Sequence, residues 1–299
     1  MRRESNGFIL VSVLLAATML LTSATAFAWF ARTEARIAAS RENILKFRGV
    51  AEIAVNALSK MINDDKNGYD SMTEELYART TKLSVGNYEI NAQIRPLNDK
   101  ISVSGLLLPD GVTIRSEYET AWQRIWEELE LPDLAASVID FIDKDESQKL
   151  GGAERESNIN RLVSDLNELK AMEEINDGVL WGTKERAWGL ARYLDVPGGQ
   201  KININVARPE MLAKLDEALS LSHAQNIASY ALVSPIKSIE ELRRVPGFPA
   251  SLATKLVNVI GFESTHFLLS LNVRDKTGNQ RNYRVVVQRG SSGIFSWEE

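Results

Sequence analysis

The residues best placed to do chemistry are acids crowded into one short stretch. Asp140, Asp143, Asp145 and Glu146 fall where an apolar helical pattern (Leu134, Val138, Phe141, Ile142) runs out, and Glu154 follows shortly after. Carboxylates at the end of a helix face the negative pole of its dipole, and a bound cation would remove that conflict. Asp143, Asp145, Ser147 and Glu154 take positions 1, 3, 5 and 12 of an EF-hand-like spacing, although Gln148 stands where such a loop needs Gly. Oxygen-only donors suit Ca²⁺ better than a softer metal. A solvated acidic loop is the other reading of the same residues.

Other chemistry finds little to work with. The chain has no Cys, which excludes disulfides, thiolate catalysis and Cys-ligated metals. His223 and His266 are its two histidines and do not by themselves make a typical catalytic zinc site. There is no phosphate-binding loop, no dinucleotide fingerprint and no nucleophile elbow, so we expect a protein that is not an enzyme. Lys and Arg number 35 against 40 Asp and Glu, a net charge of −5, which gives no general pull on nucleic acid. Arg243, Arg244 and the Val245-Pro246-Gly247-Phe248 turn resemble a helix-hairpin-helix, the basis of an alternative reading as an anchored periplasmic DNA-binding protein. Pro249 replaces the usual second Gly, and Glu173-Glu174 stand in the corresponding earlier copy, so a structural hairpin without nucleic acid is expected. Trp122, Trp126, Trp181 and Trp188 recur at i, i+4 and i, i+7, a spacing expected of core packing.

The first residues carry the strongest functional signal. After Met1-Arg2-Arg3-Glu4-Ser5-Asn6-Gly7, the 24 residues Phe8 to Ala31 carry no charge. As a helix they would measure about 36 Å, enough to cross a bilayer core with some tilt. Basic residues before the run favour a cytoplasmic start. Three readings compete: a secretory signal cut after Ala26-Phe27-Ala28, a plain single-pass anchor, and a prepilin-type signal cut before the apolar run. The third is preferred because the pattern continues. Ile37, Ile44, Phe47, Ala51, Ala54, Leu58 and Met61 share one helical face, and no Gly or Pro interrupts between Phe8 and Arg48. One helix over 8–63 is expected, stopped by Asn63-Asp64-Asp65-Lys66-Asn67-Gly68.

This stem resembles the type IV pilin and type II secretion pseudopilin superfamily. The resemblance implies cleavage after Gly7 by a prepilin peptidase and N-methylation of Phe8. Most members carry Glu as the fifth mature residue, where this chain has Ser12. That Glu pairs with the amine of the subunit ahead, and a buried carboxylate without a partner is costly. Loss of the Glu therefore points to the filament tip.

The composition is that of a folded protein, 44% hydrophobic and 25% charged. Tyr88, Ile90, Ala92 and Ile94 alternate with polar residues up to Pro96, and 267–289 reads as a β-hairpin around Asp275–Asn279. Between them lies a helical stretch. The expected fold is α+β, with a long N-terminal helix on a small antiparallel sheet and a large all-α insertion. The expected organisation is a leader at 1–7, the helix at 8–63, sheet at 64–105, insertion at 106–255 and a final hairpin at 256–299. Two internal similarities suggest repeated helical hairpins. Lys100-Ile101-Ser102-Val103-Ser104 parallels Lys201-Ile202-Asn203-Ile204-Asn205, and 165–172 parallels 238–245, each opening with a capping box (Asp165 with Glu168, Ser238 with Glu241).

These segments resemble the general secretion pathway protein K family, the large minor pseudopilins of type II secretion. The likeness is carried by Phe141-Ile142-Asp143-Lys144-Asp145, by Gly151-Gly152-Ala153-Glu154 and by the run from Pro197 through Lys201-Ile202-Asn203-Ile204-Asn205 to Leu212. Glu240-Glu241-Leu242-Arg243-Arg244-Val245-Pro246-Gly247-Phe248 completes it. Ser102 and Ser104 depart from expected Asn-type residues, and the aromatics expected soon after Glu154 are absent. The resemblance implies calcium in the helical insertion, held by Asp143, Asp145 and Glu154 with Asp140 beside them. It implies minor pseudopilins of the I and J types as partners and the major subunit below the tip. It also implies an inner-membrane stem before assembly, with the head in the periplasm.

Overall fold

The computed structural model describes residues 4–291 and 293–299, with side chains from Phe8 onward. Met1 to Arg3 of the expected leader lie outside the described residues. The chain forms two compact units, 1–53 and 54–299. Helix α1 runs from Glu4 to Asp64.

In the first unit α1 is uncharged from Phe8 to Ala31, and its large apolar side chains are exposed, Phe8 by 76% and Trp29 by 70%. This helix is long and apolar enough to cross a membrane. Four of its hydroxyls find their partner within the helix. Ser12, Thr18, Thr22 and Thr25 each donate to a carbonyl three or four residues back, at 2.9–3.0 Å.

In the second unit, the last turns of α1 bury Ala54, Val55, Leu58 and Ile62, one stripe at helical spacing. Met61, expected on that face, is 40% exposed, and Ile62 takes its place. The short helix α2 (Glu75–Ala78) leads to a five-stranded antiparallel sheet. Its strands are β1 (Thr81–Val85), β2 (Tyr88–Pro96), β7 (His266–Asp275), β8 (Gln280–Gln288) and β9 (Ile294–Glu298), in the order β1-β2-β7-β8-β9. Ile90, Ala92 and Ile94 share a buried face with Leu269, Leu271, Val273, Tyr283 and Val285, as strict alternation requires. Asn63 accepts the N–H of Gly290 at 2.8 Å, which fastens the end of α1 beside the exit of β8. The expected fold is present. The sheet has two strands more than the sequence indicates, β1 and β9.

Everything from Leu97 to Thr265 is inserted between β2 and β7. Along it come β3 (Ile101–Ser102), α3 (Val103–Leu106), α4 (Ser116–Glu128), α5 (Leu134–Ile142) and α6 (Asp177–Trp181). Then follow β4 (Leu194–Asp195), β5 (Ile202–Asn203), α7 (Pro209–Leu212), α8 (Leu221–Ala231), α9 (Ile239–Leu242), α10 (Leu252–Leu256) and β6 (Ile260–Gly261). The two similar Lys-Ile segments play the same part. Ile101 pairs in parallel with Leu194, and Ile202 with Ile260, so the insertion is not purely helical. Asp165 and Glu168 form the expected capping box, but on a 3-10 segment, Leu166–Ala171. Ser238 caps Glu241 as expected, whereas Glu241 turns to the N–H of Lys237 and leaves the second box half made. Trp122 and Trp126 are buried edge to face, 5.5 Å apart, in the insertion core. Trp181 and Trp188 are 50% and 36% exposed, contrary to the core reading of their spacing, because α6 ends at Trp181 and Gly182 (φ 104°) turns the chain away.

A buried ion pair binds these parts together. Asp70 is fully buried and receives Arg289 at 2.8 and 3.2 Å, the N–H of Ser264 at 2.5 Å and the hydroxyl of Tyr77. Arg289 also lies over the Phe267 ring at 4.9 Å. Asn203 donates to the Asp70 carbonyl and to Ser264, whose hydroxyl donates to the Leu97 carbonyl. The loop after α1, the exit of β8 and both ends of the insertion therefore meet at one point. Replacing Arg289 by Met should cost about 3–5 kcal/mol, because Asp70 is left buried and unpaired. Asp70→Asn combined with Arg289→Met should cost less than the two single changes added together. Urea unfolding of the four proteins measures this; additive losses would contradict it.

Candidate functional site

The acidic cluster sits where α5 ends. Apolar side chains bury nearly all of α5, and this takes Asp140 and Asp143 inside with it, both at 0% exposure. Asp143 closes the helix through its own N–H to the Ile139 carbonyl at 2.8 Å. The chain then loops back. Lys149 donates its backbone N–H to Asp140 Oδ1 at 2.9 Å, and its ammonium lies 2.8 Å from Asp143 Oδ2 and 3.5 Å from Asp145 Oδ1. Asn158 reaches in to donate to Glu154 Oε1 and to the Asp140 carbonyl, each at 3.1 Å. Gly152 lies against the Asp140 carboxylate so closely that a Cβ there would collide with it.

The structure thus gathers Asp140, Asp143, Asp145 and Glu154 around one loop, while Glu146, Ser147 and Gln148 are exposed. Ser147, at the EF-hand-like fifth position, is exposed and donates its backbone N–H to Asp145 at 3.1 Å. Among the described residues, four buried oxygens of this cluster receive no hydrogen bond, Asp140 Oδ2, both oxygens of Asp143 and Glu154 Oε2, and of these Asp143 Oδ2 meets the Lys149 ammonium as an ion pair. Buried acceptors normally have partners, so orphaned carboxylate oxygens are the feature that fits a hard divalent cation. Burial pushes the Asp143 carboxyl above its usual range, with the Lys149 ammonium opposing it. Burial works against charge on Lys149, yet the carboxylates of Asp143 and Asp145 hold its ammonium above its ordinary value.

Among the described residues, one group of three acids brings its oxygens within 4.8 Å of one another: Asp65, Asp70 and Glu74. The sequence reading did not single it out. Its central carboxylate is already saturated by Arg289, Ser264 and Tyr77, which makes it structural. The predicted cluster does not converge that tightly.

The hairpin of α9 and α10 turns at Gly247 (φ 75°). Val245 and Phe248 are buried in the insertion core, and Asn226 of α8 donates to the Pro246 carbonyl at 3.1 Å. Val245 and Phe248 anchor the turn in the core, while Pro246 and Gly247 at its tip are exposed, as are Arg243 and Arg244 beside it.

With this geometry in hand, the fold can be placed among known proteins. A chain of the GspK-GspI-GspJ complex of the enterotoxigenic Escherichia coli type 2 secretion system is similar over 87% of this chain and 97% of its own length, with a TM-score of 0.60 and 13% identity. The fold is shared with a type II secretion subunit. No family model matches the chain, and no curated protein does. At this identity the likeness speaks for the fold.

Gly152→Ala should destabilise the protein by about 1–3 kcal/mol, since the added methyl must displace the buried Asp140 carboxylate. Gly151→Ala meets no neighbour and bears only the strain of φ 80°. Thermal unfolding of both variants checks the contrast; equal melting temperatures for Gly152→Ala and the parent would contradict it.

Proposed function

We propose that this protein is a minor pseudopilin at the tip of a type II secretion pseudopilus, where it helps start assembly of the filament that exports folded proteins. The observation that carries the reading is the likeness in fold to a chain of the GspK-GspI-GspJ complex. The N-terminal helix supports it. A peptidase cuts after Gly7 on the cytoplasmic side, Phe8 becomes the N-methylated first residue, and the apolar stem waits in the inner membrane with the head in the periplasm. On assembly the stem leaves the bilayer and packs among the stems of its neighbours.

Ser12 suits a terminal position for a physical reason. Its hydroxyl donates to the Phe8 carbonyl at 2.9 Å, so it is satisfied within its own helix. A Glu there would need an amine from a subunit ahead, and the last subunit has none. Minor pseudopilins of the I and J types are the partners beside it, with the major subunit below. The insertion between β2 and β7 is bulky enough to obstruct a further subunit above. The work is assembly and steric, not catalysis.

The acidic loop fits calcium. Asp140, Asp143 and Glu154 would hold the ion through oxygens that lack hydrogen bonds, with Asp145 at the rim. The ion would neutralise buried charge and tie α5 to the segment that follows it.

Mass spectrometry of the protein from its native membrane should find N-methyl-Phe8 at the N-terminus. A chain starting at Trp29 would mean an ordinary secretory signal and would sink the reading. Calorimetric titration of the full chain in detergent with Ca²⁺ should show saturable heat. Asp143→Asn should weaken binding by more than about tenfold; no heat with the parent protein would end the calcium assignment.

A further inference from the structure

A cation already lies among these carboxylates. The Lys149 ammonium bridges Asp143 at 2.8 Å and Asp145 at 3.5 Å, while its backbone N–H holds Asp140. The ammonium is a single positive charge beside two acids, Asp143 and Asp145, in a loop that also holds Asp140 and Glu154. It leaves Asp140 Oδ2, Asp143 Oδ1 and Glu154 Oε2 without a hydrogen bond, although Asp140 and Asp143 are wholly buried. Its own position is different. The Lys149 side chain is 29% exposed, so its flexible stem enters from the rim and has an open way out. Two cations cannot share Asp143: at about 4 Å their repulsion is strong wherever water is scarce.

We infer that Lys149 is a built-in competitor for the divalent cation. It holds the Asp140–Glu154 loop together when the ion is absent and must swing out of the carboxylate cluster when the ion enters. This rests on the calcium reading above and adds to it that affinity is set by an exchange of one cation for another. The acid count alone would suggest tighter binding than such an exchange allows. The loop also stays folded in both states, with Asp140 still capped by the Lys149 backbone.

The test uses the full chain in detergent and Ca²⁺ itself. In Lys149→Met the stem remains and the charge is gone, so calorimetry should show Ca²⁺ bound on the order of tenfold more tightly. The melting temperature in chelator should fall below that of the parent, and the rise on adding Ca²⁺ should be larger. Should that variant fail to fold, the parent protein still answers. Amine labelling followed by mass spectrometry should show Lys149 modified slowly in chelator and faster in saturating Ca²⁺, with other lysines unchanged. Ca²⁺ binding of equal affinity in parent and variant, or labelling of Lys149 that ignores Ca²⁺, would overturn the competitor role and leave the calcium reading standing. No binding by either protein would bring down the calcium reading and this inference with it.

Discussion

The buried Asp70–Arg289 pair is the constraint around which the head is organised. An ion pair taken out of water is a poor source of stability by itself, because desolvation offsets much of the attraction. Its value is positional. Asp70 has room for a guanidinium, a backbone N–H and the Tyr77 hydroxyl, and each comes from a different part of the chain. Misplacing any one would leave a buried charge short of partners. The sheet, the end of the long helix and both ends of the insertion are therefore fixed relative to one another by one set of hydrogen bonds. Asn98 repeats the device on a smaller scale, receiving Thr265 and donating to the Lys201 carbonyl.

The same rule of polar satisfaction distinguishes the other two regions. In the apolar stem every described hydroxyl with a bond returns it to its own helix, so the stem can pass from lipid to protein surroundings without losing a partner. In the acidic loop the rule is broken at four carboxylate oxygens.

What was legible in the sequence had strong period. The first half of the long helix is legible as an uncharged run; its last turns, β2 and the β7–β8 hairpin each have one buried and one exposed face, and their residues say so. β1 and β9 do not. Thr81–Val85 alternates between half-buried and exposed positions but has no buried face and only two large apolar residues, Leu83 and Val85, while Ile294 and Phe295 of β9 are both exposed. The Trp181–Trp188 spacing misled because it counts residues across a break in the helix. The acids of the candidate site could be found by type and spacing, but Lys149 could not be told from other exposed lysines until the chain turned back on α5. Asp70 and Arg289 lie 219 residues apart, and nothing local marks them as a pair.

The central claim is that the uncharged stem is retained and that this subunit ends a filament. Immunogold labelling of sheared pseudopili, with antibody against the helical insertion, tests it most directly. The account predicts gold at one end of each filament and nowhere else. Gold spaced along the shaft, or filaments that never carry it, would contradict the account.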